Sequence, residues 1–262
     1  MVAKELLAAG RLSETLELLN REVRTAPADL RKRTLLFEAL CFIGDYERAG
    51  RQLDVIAQLD ERSVAGAHLY LNVLAAERSR QRLLSDGLAP HFLLEPPPFA
   101  HLHLEAFNRL REGRAAAARA LLEQAAEIQG EVAGNLGDRS FADISDADAL
   151  LGPFLEVIVQ DRYVWLPFAQ IKRLAVAAPD KLRDLLWIPA NLELKDGSLS
   201  DAFIPVLYAG SGSHPDDQIK LGRATNWENT GGVTRGVGQR ILFIDDSERP
   251  VLQLGEIVFA SE

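Results

Sequence analysis

Apolar positions in residues 2–26 recur at helical spacing. Val2, Leu6 and Leu7 share one stripe, and Leu12, Leu16 and Leu19 share another after a break at Gly10. Ser13, followed by Glu14 and Glu17, predicts a capped start to the second helix, and Pro27 closes the segment. The same grammar returns 34 residues later, where FIGDYERAGRQL repeats AAGRLSETLELL with Gly44 over Gly10, Ala49 over Thr15 and Leu53 over Leu19. A third unit, LREGRAAAARALL, places Gly113 69 residues after Gly44, close to two more periods, with Ala118 at the helix-crossing position. This is the tetratricopeptide length, in which antiparallel helix pairs stack into a superhelix with a concave face. The intervening repeat would centre near Arg78, where no turn glycine stands. Mapping the period puts Arg31, Thr34 and Glu38 on the inward face of one helix, with His68 and Asn72 equivalent on the next. These five are the candidate partner-binding residues.

Pro96, Pro97 and Pro98 interrupt the helices, which resume over residues 99–129. Near Gly130 the pattern changes to short apolar, β-branched runs separated by Gly, Asp, Asn and Pro. Five or six strands are expected from YVWLPF, IKRLAV, LRDLLWIPANLEL, AFIPVLYAG, QRILFIDD and PVLQLGEIVFA. FLEVIVQ reads as a short helix, and residues 211–238 read as a long loop or poorly patterned strands. The expected architecture is α+β and multidomain: a tetratricopeptide-like helical superhelix over residues 1–130, then a small β-barrel-like domain with a capping helix over residues 131–262. Trp165, Trp187 and Trp227 are expected to fill the core of that second half.

The 262 residues carry a formal charge of -9, of which -7 falls after residue 135, so neither half has the basic excess of a nucleic-acid binder. The single cysteine, Cys41, sits among apolar neighbours and reads as a buried structural thiol. The start shows no secretory pattern and no run has the length of a membrane span, so the cytoplasm is the expected location. His101 and His103 are two apart and share no helix face, which disfavours a metal pair. The carboxylates at positions 138–161 lack a calcium-loop pattern, and the Asp146 and Asp148 side chains read as turn and helix-cap acceptors. The run AGSGSHPDD contains the residue types of a hydrolytic triad without a GxSxG elbow, and GGVTRGVG matches no phosphate loop. No enzyme, cofactor or metal site is expected.

AGRLSETLELLNREVRTAPAD, FIGDYERAGRQLDVIAQLD, DISDADALLGPFLEVI, YVWLPFAQIKRL and LRDLLWIPA, in that order, resemble the ImpE/TagJ family, also described as SciE-type proteins, across the whole chain. Asp146, Asp148, Gly152, Pro153 and Glu156 match the family's D-x-D…GP…E signature. Tyr163, Trp165, Pro167 and Phe168 match its aromatic strand, Trp187 and Pro189 its W-x-P element, and TRGVGQR its late glycine-containing strand. Ala149 and Leu150 stand where the family commonly has Ser-Arg. The resemblance implies a non-enzymatic accessory protein of bacterial type VI secretion systems. Its expected partner is the N-terminal helix of the small contractile-sheath subunit. Three alternatives follow from the residues themselves: binding mainly through the β half, hydrolysis by the 138–161 carboxylates or the loop 211–217, or a purely structural role that holds an assembly together without capturing a helix.

Overall fold

The computed structural model describes residues 2–260. Seven helices come first: α1 (Ala3–Ala8), α2 (Leu12–Thr25), α3 (Leu30–Phe42), α4 (Tyr46–Leu59), α5 (Val64–Asp86), α6 (Ala100–Arg111) and α7 (Ala115–Ile128). Gly10, Gly44 and Gly113 all turn the chain between paired helices with φ near +75°, a conformation that penalises any side chain. The small residues at the crossings, Thr15, Ala49 and Ala118, are fully buried. Asp29 and Asp45 cap α3 and α4 through their side chains. Ser13 is no cap. It lies inside α2, and its backbone N–H donates 2.9 Å to the Asp217 carboxylate, so an acid from the far half sits at the positive end of this helix. The absent turn near Arg78 has a simple explanation: α5 is one helix of 23 residues.

Thirteen strands follow: β1 (Gly134–Leu136), β2 (Arg139–Phe141), β3 (Ile144–Asp146), β4 (Phe154–Val159), β5 (Arg162–Pro167), β6 (Ile171–Val176), β7 (Trp187–Leu194), β8 (Leu199–Pro205), β9 (Thr225–Thr230), β10 (Val233–Gly238), β11 (Ile241–Ile244), β12 (Ser247–Pro250) and β13 (Glu256–Phe259). Eight form one antiparallel sheet in the order β2-β1-β13-β6-β7-β8-β4-β5, beside a three-stranded sheet and the β9–β10 ribbon. The expected helical first half and β-rich second half are both present.

Two local expectations are corrected, and one that stood open is resolved. FLEVIV of the run FLEVIVQ is strand β4, and all six strand residues are buried; a strand covered on both faces loses the alternation that would identify it. Of the two readings of residues 211–238, poorly patterned strands is the one found: after the short helix α8 (Asp217–Lys220) comes the β9–β10 ribbon, whose β9 residues are largely exposed and therefore unpatterned. Asp146 and Asp148 do accept backbone N–H groups, from Asp148 and Leu150, but at a turn rather than a helix start.

One continuous apolar core runs through both halves. The proline-rich link between α5 and α6 lies along the outer edge of β5: His91 N–H donates to the Tyr163 carbonyl at 2.9 Å, and Trp165 N–H to the His91 carbonyl at 3.0 Å. That cover removes an exposed strand edge. Tyr70 of α5 lies 6.2 Å from Trp187 and 5.9 Å from Phe203, joining helix to sheet.

Candidate functional site: a buried ionic seam and an apolar groove

The inner face of α5 carries Val73, Leu74 and Leu83, yet Glu77 and Arg80 share that face and are equally buried. Charges in such a place need partners, because desolvation costs several kcal/mol per ion. Arg80 finds them in the β half. Its Nε and Nη2 donate to the two carboxylate oxygens of Glu156 on β4 at 2.9 and 2.6 Å, a bidentate pair, and Nη2 also reaches the Leu207 carbonyl. Glu77 accepts from Trp187 Nε1 at 2.8 Å and pairs with Arg80 at 3.4 Å.

Glu156 is the hub. It accepts further hydrogen bonds from the Tyr163 hydroxyl and from Arg240. Trp165 Nε1 in turn donates to the Tyr163 oxygen at 2.6 Å. Arg240 continues the chain to Asp146 at 2.5 Å and to the Pro205 carbonyl at 3.0 Å. Tyr208 places its hydroxyl 2.9 Å from Asp146. Asp148 closes the series, accepting from Gly236 N–H at 3.1 Å and Arg235 Nε at 3.2 Å. A Cβ on Gly236 would lie 2.2 Å from the Tyr208 ring, so only glycine lets the β10 backbone approach so closely.

Burial works hardest against the charge on Glu156, but Arg80 and Arg240 together overcome it and hold the carboxyl well below its usual range. Asp146 behaves oppositely. Burial, helped by neighbouring Asp148, outweighs Arg240 and pushes its carboxyl up to about 7. Burial also raises the Tyr163 hydroxyl, with Glu156 adding to the effect. These groups satisfy one another across the junction of the two halves. The arrangement fastens helices to sheet.

Most of the remaining family-signature residues are buried beside the seam. Gly152 accepts from Asp146 N–H at 2.7 Å, and Pro153 accepts from Phe168 N–H at 2.9 Å. Trp165 stacks 5.0 Å from Phe154 and 5.5 Å from Phe107 of α6. Pro167 and Phe168 are buried at the end of β5, whereas Pro189 is exposed on β7. Trp227 departs from the expected core role: it is 36% exposed on β9, edge-on to Tyr208. His103 is buried, and its Nδ1–H donates to the Leu150 carbonyl at 2.9 Å; burial brings its pKa down to about 4. Cys41 is a buried free thiol whose pKa burial drives up.

The residue types of a hydrolase do not converge. Ser211 Oγ donates to the Tyr208 carbonyl at 2.6 Å and accepts from Gly238 N–H at 2.8 Å, while His214 Nδ1 accepts from Asp216 N–H. Asp216 caps α8 and Asp217 holds α2. Asp138 and Asp161 are exposed, away from the buried Asp146 and Glu156. Among the described residues, no group of three or more His, Cys, Asp or Glu side chains is placed to hold a metal ion.

A separate feature lies between α1, α3, the turn over residues 181–185 and the chain at 221–223. It is a groove of about 510 Å³ floored by Leu7, Leu35, Leu182, Leu185 and Leu221. Of the five candidate binding residues, only Glu38 lines it. Glu38 is buried and paired with Arg183 at 3.3 Å; burial raises its carboxyl and Arg183 opposes that. Arg31 lies exposed nearer the start of α3, and Thr34 donates to the Leu30 carbonyl at 2.9 Å. His68 and Asn72 are exposed on α5, outside the groove lining. Glu77 and Arg80 belong to no signature motif, although two charges on an otherwise apolar helix face are a readable sign.

Residues 138–258, which contain most of the seam, match the ImpE protein family model. Over 259 residues, 99% of this chain and 91% of its relative, the sequence is 39% identical to the type VI secretion system accessory component TagJ of Pseudomonas aeruginosa. The crystal structure of protein VPA1032 from Vibrio parahaemolyticus superimposes with a TM-score of 0.92 at 25% identity, covering 99% of this chain and 98% of that one. With the signature acids Asp146, Asp148 and Glu156 gathered in one seam and a relative this similar along nearly its full length, the chain belongs to the ImpE/TagJ family.

Proposed function

We propose that this protein is a non-catalytic, cytoplasmic accessory component of a bacterial type VI secretion system. It captures the N-terminal helix of the small contractile-sheath subunit and so influences sheath assembly or recycling. The groove between α1 and α3 carries this reading. These are the first helices of successive pairs, and apolar grooves on such faces accept amphipathic helices. The seam supports it too, since its buried groups are engaged in holding the two halves together. Among the described residues, no helix is long and apolar enough to cross a membrane. Arg31, Thr34, His68 and Asn72 extend the contact along the helical surface.

Calorimetric titration with a synthetic sheath-subunit helix, against a scrambled control, tests the proposal. Saturable binding of the native peptide alone is expected. The exposed Trp227 favours a second reading, in which the β half makes the main contact. Trp227→Ala would then abolish binding, whereas capture in the groove leaves affinity unchanged.

A further inference from the structure

The groove differs in charge from the rest of the molecule. The whole chain carries -9, yet Lys4, Lys181, Arg183 and Arg223 line this one cavity against a single carboxylate, Glu38. That carboxylate is already paired with Arg183. Arg223 is partly engaged, donating to the Leu7 and Ala8 carbonyls at 2.6 and 3.1 Å and so tying the end of α1 to the β half. Lys4 and Lys181 are exposed, and among the described residues neither has an acid within ion-pair distance. A leucine floor with a cationic rim is thus set into a chain of net negative charge.

We infer that the groove takes an acidic amphipathic α-helix, with its apolar stripe on the leucine floor and its carboxylates against Lys4, Lys181 and Arg223. The proposal rests on the helix-capture reading and deepens it by naming the partner's charge and seat. An apolar floor of this size selects side chains spaced i, i+3, i+4 and i+7. The rim selects the sign of the flanking charge and rejects a basic helix by like-charge repulsion.

The test uses the full chain and two synthetic helices of about 18 residues. They share one leucine stripe and differ only in carrying Glu or Lys at the flanking positions. The Glu peptide is expected to bind, more weakly as salt rises, and the Lys peptide is not. K4E combined with K181E should weaken the Glu peptide about tenfold. Both lysines are exposed, so the double variant keeps the fold, which circular dichroism checks. Equal binding of both peptides, binding of neither, or an unchanged affinity in the double variant overturns the proposal. The sheath-subunit helix, run alongside, separates the two claims. If it binds wild type and double variant equally, helix capture stands and this seat falls. If only the Glu probe binds, in a manner sensitive to K4E/K181E, the seat stands and the sheath partner falls.

Discussion

His103 and Asp146 titrate in opposite senses inside the same core. His103 is held neutral with a pKa of about 4, against about 6.5 when unfolded, so the unfolded chain binds the extra proton in between. Its contribution is therefore complete above pH 6.5 and is lost as pH falls towards 4. Asp146, raised to about 7, keeps a proton that the unfolded chain has already released above about pH 4, so its contribution declines as pH rises towards 7. The two slopes offset each other in the wild type. His103→Asn, which retains a donor for the Leu150 carbonyl but does not titrate, separates them. Between pH 6.5 and 5, wild type should lose about 2 kcal/mol relative to this variant in urea denaturation. Parallel stability curves would contradict the assignment. At this scale the signature acids Asp146, Asp148 and Glu156 were legible in the sequence as an ordered motif. Their partner Arg80 was not, since it lies 76 residues from Glu156 in a helix whose only motif is its repeat spacing.

Turn glycines made the helical pairs readable, because φ near +75° at Gly10, Gly44 and Gly113 is a backbone requirement that leaves a mark in the sequence. Gly113 isolates that requirement, for a Cβ there would meet nothing within 4 Å. Gly113→Ala is expected to cost about 1 kcal/mol through the backbone alone, and Gly113→Asn less, since Asn tolerates the left-handed region. Equal costs by thermal denaturation would show that the turn is not the cause. Where no such requirement acts, the pattern misled. β4 is buried on both faces and mimics a helix segment, while β9 is exposed and mimics a loop. The uninterrupted α5 is what a missing glycine means.

Across the whole molecule, Arg80 and Glu156 join the helical half to the sheet through a desolvated pair. Removing either partner alone, as Arg80→Met or Glu156→Gln, strands a buried charge and should cost about 3–5 kcal/mol. The double variant should cost clearly less than the sum, which a double-mutant cycle measures. Additive losses would mean that the halves are held elsewhere. The groove is also a property of the whole. Its lining comes from α1, α3, residues 181–185 and residues 221–223, which no local pattern connects. The sequence did place Glu38 on an inward face, but its burial and pairing with Arg183 depend on a β-half segment 145 residues away.

The most direct test of the account is calorimetric titration of the intact protein and of its K4E/K181E variant with the N-terminal helix of the sheath small subunit. Saturable binding to wild type that weakens about tenfold in the variant, with a scrambled peptide silent, is the expected result. Absence of binding, with the peptide helical and the protein folded, would contradict the account.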